Sequence, residues 1–535
     1  MKLTRIAAGI AACCIFSSAQ AAGPFTFAHE WTFTHTANAL SQAQGSEILS
    51  FDAVNRQLWI VGTDANVNSP VGRSGIDVLN LDGSFVTSLD LQSIGGVNSV
   101  AIANGKAAVA ITAPVKTDAG FVRFYDTTSR NLLANVTVGA NPDSVTFTPD
   151  GSKLLVANEG EPRDFTLGLP GDAEGSVSII DATTFAPPST AGFSSFDATT
   201  LKAAGVRIFG PNQTPALNIE PEYIAVSADG TTAMATLQEN NAVAVIDIAT
   251  ATITSIKALG LKDHSLPGNG FDAGDRDGAG NNPLNGNIQQ WNVKGMYLPD
   301  GIAGFTQNGQ QFYVTANEGD AREDWPGFRE EVRVGAATID PLLNTALVAA
   351  HGADYKSNND KLNRLLVSLT GDTDGDGDLD QLLAFGGRSF SILDAAGNLV
   401  FDSGDKLEQI IKADFPALWD DSRSDNKGPE PESAVIGMLG GKTLLFLGLE
   451  RSNAVMVWDL SDRTSPTFLE MLFTAGDVGP EGLSFFTDGG KGYLAVASEI
   501  TGRTSLYSVQ PIPVPGAVWL MGSAIAALGW KRRRA

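Results

Sequence analysis

The chain has 535 residues, with 60 Asp and Glu against 36 Lys and Arg and a net charge of −24. That balance leaves no basic footprint for nucleic acid or anionic lipid, which excludes both as partners of the folded body and favours cations as ligands. The two cysteines, Cys13 and Cys14, lie in the N-terminal leader, so the body has neither disulfides nor a thiolate metal site.

Residues 1–21 read as a secretory signal peptide. Lys2 and Arg5 supply the basic start, Ile6 to Phe16 the apolar stretch and Ala19-Gln20-Ala21 the small-residue cleavage site. Ile10-Ala11-Ala12-Cys13 is an alternative, a lipoprotein cleavage box after a very short apolar stretch. Removing the two ends takes six basic residues and no acid, so the body carries 30 basic residues against 60 acidic.

From residue 22 to residue 511 one phrase repeats: an acidic or amide residue, a strand-like run, a tight turn and a second run. Its leading positions are Glu47, Asn98, Asp143, Glu222, Asp300, Glu432 and Glu481. The turns Pro149-Asp150-Gly151, Asp229-Gly230, Asn308-Gly309 and Asp488-Gly489-Gly490 are hairpin chemistry. A third run ends alike in several copies: FVRFYDTT, GSVSIIDAT, NAVAVIDIAT and NAVMVWDLS. The spacings of 51, 45, 79, 78, 132 and 49 residues are one four-stranded unit each, the long ones with an insertion. The expectation is an all-β, seven-bladed β-propeller, with Phe27 to Thr36 as a lone strand completing the last blade and removing an open edge. Long insertions are expected at about 185–219, 262–297 and 320–385.

Antiparallel strands return the chain to the edge it left. A residue 16–18 positions after each leading acid should therefore lie beside it. Those positions are Asp64, Glu159, Glu239, Glu318, Glu450 and Glu499. Four of the seven leading residues are Glu, a poor turn former, so backbone geometry does not account for them. The expectation is an acidic channel mouth holding Ca²⁺ or another divalent ion. Its rival is pairing with Arg163, Arg322 and Arg451. With four histidines, at 29, 35, 264 and 351, a zinc site is not expected.

Within the third insertion Asp372, Asp374, Asp376, Asp378 and Asp380 follow the D-x-D-x-D-G opening of a calcium loop. Leu383 stands where an EF-hand carries its bidentate Glu. Asp272, Asp275 and Asp277 form a second, weaker Asp-rich stretch, readable as a metal site or as a polar loop. No G-x-S-x-G elbow, Cys–His pair or H-E-x-x-H motif appears.

Residues 512–535 combine a Pro-rich entry, the apolar run Ala517 to Trp530 and the cluster Lys531 to Arg534. Fourteen residues reach about 21 Å as a helix, short of a full bilayer core. Val514-Pro515-Gly516-Ala517-Val518-Trp519-Leu520 resembles a PEP-CTERM-type sorting signal lacking the usual Glu. The resemblance implies an exosortase as partner and membrane contact only through this tail; a plain C-terminal anchor is the alternative. The phrases GNGFDAGDRDG, VKGMYLPDGIAGF, TANEGDARE, FGGRSFSILD and LWDDSRSDNKGPEPESAVIG resemble the choice-of-anchor I proteins across roughly Phe27 to Val509. That resemblance implies an exported bacterial propeller directed to the cell surface, extracellular matrix or periplasmic face.

Two function classes remain. One is a calcium-stabilised module binding an extracellular polymer or surface protein. The other is a metal-dependent phosphoesterase, with the mouth acids as ligands, Arg163, Arg322 and Arg451 on phosphate oxygens and His264 as proton shuttle. A lactonase or esterase propeller is a variant of the second.

Overall fold

The computed structural model describes residues 24–35, 45–62, 74–162, 171–277, 286–323, 325 and 327–512. The expected signal peptide (1–21), the expected sorting tail from residue 513, Asp64 and Arg163 lie outside them. The chain divides into two compact units, Phe27–Val509 and the paired termini Met1–Thr26 and Gln510–Ala535. In the terminal unit the Ile512 N–H donates to the Pro24 carbonyl at 2.9 Å.

The described residues form eight sheets, seven of them four-stranded. The first begins with Leu49–Asp52, the second with Gly96–Ala103, the third with Pro142–Phe147 and the fourth with Ile224–Val226. The fifth begins with Ile302–Gln307, the sixth with Pro431–Leu439 and the seventh with Pro480–Asp488. In the first six, four successive strands pair side by side as antiparallel meanders, the fifth taking its outer two, Ser389–Asp394 and Leu399–Asp402, after a long insertion. In the seventh the fourth place is filled by Phe25–Thr34 from the other end of the chain, beside Arg503–Pro511. That strand covers Arg503–Pro511, which would otherwise be the open edge of the sheet.

Turn chemistry sets the registers. In the third sheet Gly151 takes φ +68° and its N–H donates to the Thr148 carbonyl at 2.8 Å, while Asp150 Oδ1 accepts from the Ser152 N–H at 2.9 Å. The fourth sheet repeats the device with Gly230, Ser227, Asp229 and Thr231. The Asp ending each third run caps the next turn: Asp126 accepts from the Ser129 N–H at 2.7 Å, Asp181 from Thr184 at 2.8 Å and Asp247 from Thr250 at 2.8 Å. These side chains do the work of backbone acceptors, which is why Asp recurs there.

The second strands are apolar nearly throughout because both faces are covered. Lys153–Asn158 and Lys442–Leu449 are buried at every position after the first. Consecutive sheets share apolar clusters: Trp59 and Val78 of the first with Val100 and Val109 of the second, Leu155 and Val177 of the third with Ala235 and Ile246 of the fourth. The fifth and sixth meet through Phe312, Phe390, Leu445 and Trp458, the sixth and seventh through Phe446 stacked on Phe485. The succession returns on itself, since Leu58 and Leu79 of the first sheet pack with Phe486 and Leu506 of the seventh. The first strands also neighbour one another in this cyclic order. Seven sheets of this kind, with one five-stranded sheet besides, make an all-β, propeller-like fold.

The insertions are more than loops. Ser189–Gly192, inside the expected first insertion, is the outer strand of the third sheet. The second and third insertions combine into a five-stranded sheet in the order Leu261–Asp263, Lys294–Met296, Leu383–Ala384, Leu366–Ser368 and Glu331–Arg333. Phe271, Trp291, Leu347, Tyr355, Leu365 and Leu379 give it a core of its own, under the helix Pro341–His351. Apolar residues scattered over two Gly- and Asp-rich segments concealed this layer from sequence periodicity.

Candidate carboxylate mouth

The leading acids are held by a repeated backbone irregularity. The pairing register of the first strand slips between Pro142 and Val145, between Pro431 and Ala434, and between Pro480 and Leu483. Asp143, Glu432 and Glu481 each sit inside such a bulge. Two residues earlier the chain takes positive φ, at Asn141 (46°), Glu430 (49°) and Gly479 (71°). Bulges re-aim side chains that a regular ladder would send to alternate faces. Asn98, the one amide in the series, also lies at a register slip, and its Nδ2 donates to Thr112 Oγ1 at 2.8 Å and to the Pro142 carbonyl at 3.1 Å.

These positions bring carboxylates together from neighbouring sheets. Asp143 and Glu159 of the third sheet and Glu222 of the fourth offer oxygens within 4.8 Å of one another. Asp300 and Glu318 of the fifth sheet and Glu432 of the sixth do the same, as do Glu318, Glu430 and Glu450. Burial, then Glu159 and Glu47, holds the Asp143 carboxyl well above its ordinary range. Burial, then Glu159 and Glu239, does so for Glu222. Asp300 is raised by burial and Glu318, and Glu432 by burial, Glu318 and Glu481. Glu481 is raised by burial, Glu47 and Glu499, which places the first and seventh sheets in the same field. Tyr223 feels four of these acids at once: after burial, Asp300, Asp143, Glu481 and Glu432 push its phenol up. With Glu222, next to Tyr223 in the chain, these leading acids of five sheets act on one electrostatic field. Glu432 Oε2 and Glu481 Oε2 are buried without a hydrogen-bond partner.

Basic side chains neutralise only part of this charge. Lys427 Nζ lies 2.8 Å from Glu318 Oε1 and 3.2 Å from Asp320 Oδ1. Arg451 bonds Glu430 at 3.3 Å and Glu450 at 3.0 Å, and Arg423 bonds Glu430 at 2.6 Å. Burial nevertheless pushes Glu450 up to about 7. Arg322 is fully buried, 2.7 Å from Glu220 and 3.6 Å from Glu239, between the rings of Phe209 and Trp325. It pairs with Glu239 of the second acidic ring, as the pairing alternative expected, and with Glu220, which the repeat did not indicate. His264 is 2 % exposed, and its Nδ1 meets the Asn269 carbonyl at 2.6 Å. Burial, then Lys262, lowers its pKa to about 3, so it is a neutral imidazole held to backbone.

In the Asp-rich loop, Asp372 turns inward and accepts from the Gly375 N–H at 2.7 Å and the Gly377 N–H at 3.0 Å. Asp380 accepts from the Thr373 N–H at 2.7 Å. Asp374 and Asp376 are exposed. The triad formed there joins Asp378 and Asp380 to Asp340, the cap of the Pro341–His351 helix, which the repeat pattern did not indicate. Of the second Asp-rich stretch, Asp275 is taken by Arg364 through bonds of 2.6 and 2.7 Å. Asp272 and Asp277 are joined instead by Asp421, from the segment before the sixth sheet. Among the described residues no helix is long and apolar enough to cross a membrane.

Residues 47–463 match the family described as Choice-of-anchor I domain. Gigasin-3a of Magallana gigas is 28 % identical over a match spanning 29 % of this chain and 68 % of that protein. A mesenchyme-specific cell surface glycoprotein of Strongylocentrotus purpuratus is 26 % identical, the match covering 40 % of this chain and 32 % of the relative. Among solved structures, hydrazine synthase of Kuenenia stuttgartiensis superposes with a TM-score of 0.45 at 12 % identity, over 86 % of this chain and 95 % of that one.

Proposed function

The chain belongs to the choice-of-anchor I family, and from that premise we propose that it is an exported, surface-directed binding module. Its seven four-stranded sheets are the blades of one closed propeller whose carboxylate mouth holds calcium. The observation that carries the metal is the pair of orphaned oxygens, Glu432 Oε2 and Glu481 Oε2, in a field that also raises Asp143, Glu222 and Asp300. Buried like charges this close keep protons or share a cation. All-oxygen donor sets favour hard ions such as Ca²⁺ or Mg²⁺. The residues that would hold the ions are Asp143, Glu159 and Glu222 on one side, and Asp300, Glu318 and Glu432 on the other. Surface placement is supported by the family and by the cell-surface name of one relative. Residues 1–21 are the export signal, and residues 512–535 the PEP-CTERM-type signal on which an exosortase acts.

The phosphoesterase alternative needs free cations beside the metal. Arg322 and Arg451 are committed to carboxylates, and His264 to a backbone carbonyl. That commitment favours an extracellular polymer or surface protein as ligand over a phosphorylated small molecule. The test is to measure bound calcium on purified full-length protein and to assay a phosphomonoester and a lactone with and without chelator. Bound calcium that raises the melting temperature, with no turnover, is the expected result. Calcium-dependent hydrolysis abolished by Glu222→Ala would overturn the binding-module reading.

A further inference from the structure

Away from the mouth, the five-stranded insertion layer carries a second group of carboxylates with a different history in the chain. Asp272 and Asp277 follow the strand Leu261–Asp263, while Asp421 arrives from a short turn after the helix Lys406–Asp414. The three are 1 %, 1 % and 2 % exposed, and one oxygen from each lies within 4.8 Å of the others. A single ion with bonds of about 2.4 Å spans such a set.

Two of the three have their geometry fixed by neutral donors. Asp272 Oδ2 accepts from the Asn287 N–H at 2.9 Å and Asp421 Oδ1 from the Trp419 indole N–H at 3.2 Å. Asp277 is different: both of its oxygens are buried and neither has a hydrogen-bond partner. The cations nearby are spent elsewhere. Arg364 is bidentate on Asp275, and Arg388 serves Glu408 and the carbonyls of Asp272, Ser424 and Asn426. The sequence following Asp277, from 278 to 285, contains no basic residue. A carboxylate buried with no donor is strongly disfavoured as an anion unless a cation meets it. Asp277 also lines a cleft of about 500 Å³ with Asn287, Gln289, Trp291, His351 and Lys361, the last paired with Asp354 at 2.5 Å.

We propose that Asp272, Asp277 and Asp421 bind a hard divalent cation, calcium in the exported protein, which ties the insertion layer to the segment leading into the sixth sheet. The donors are all oxygen. This site is independent of the carboxylate mouth.

Terbium serves as the probe, because Trp419 and Trp291 lie beside the site and sensitise its emission. Full-length protein titrated with Tb³⁺ under tryptophan excitation should show saturable emission that calcium displaces. Asp277→Asn should abolish most of that emission and remove one equivalent of bound ion in equilibrium dialysis. Glu222→Gln, at the mouth, should keep the emission, which separates failure here from failure there. Asp421→Asn gives the same readout should the first variant not fold. Wild-type emission and ion count retained in either folded Asp variant would overturn the proposal.

Discussion

Replacing Glu222 by Gln tests the electrostatics of the mouth. The oxygens of Asp143, Glu159 and Glu222 lie within 4.8 Å of one another. At an effective dielectric of about 20, each ionised pair at that distance repels by roughly 3 kcal/mol. A pair this strong holds a proton back by about two pH units, so part of the repulsion is already relieved in the ion-free protein. Removing the charge at Glu222 should therefore stabilise the chelator-treated protein by about 1–3 kcal/mol at pH 8. The same variant should lose most of the stabilisation that millimolar calcium confers on the wild type, because it removes one ligand. Thermal unfolding with chelator and with calcium reads both effects. A Glu222→Gln protein less stable than wild type in chelator, with an undiminished calcium response, would show that Glu222 neither repels its neighbours nor binds the ion.

In the ion-free protein the raised folded pKa values mean that the native state binds more protons than the unfolded chain above about pH 4. Stability should fall as pH rises from there through about 7, where Glu450 titrates, and calcium should flatten that slope; unfolding across pH in chelator and in calcium checks the sign. Arg322→Ala strands Glu220 in the interior and should cost roughly 3–5 kcal/mol in denaturant unfolding, the signature of a structural arginine rather than a phosphate ligand. Trp458→Ala, which empties the contact with Phe390 and Phe468, should cost about 3–5 kcal/mol by the same measurement. Gly482→Ala tests the meeting of the first and seventh sheets: the added Cβ would lie 2.0 Å from the Glu47 carbonyl oxygen, and the melting temperature should drop by the equivalent of about 1–3 kcal/mol.

Much of the body was legible from the recurrence of one phrase, because each copy carries its own turn and cap residues. Gly151 and Gly230, Asp181 and Asp247 are local signals whose partners lie within a few residues. The leading acids were legible for the same reason, although the sequence offered no sign that bulges aim them. What stayed hidden depends on contacts between distant segments. Nothing local joins Arg322 to Glu220, Lys427 to Glu318, or Asp421 to Asp277. The five-stranded insertion layer was hidden because its strands are two or three residues long, too short for alternation to register.

The most direct measurement is anomalous diffraction from a crystal of the protein soaked in Mn²⁺, a scatterer that takes the same oxygen ligands as calcium. Anomalous peaks are expected between Asp143, Glu159 and Glu222 and between Asp300, Glu318 and Glu432, both displaced by excess calcium. A mouth with no peak, its carboxyl groups paired to one another through shared protons, would contradict calcium binding there.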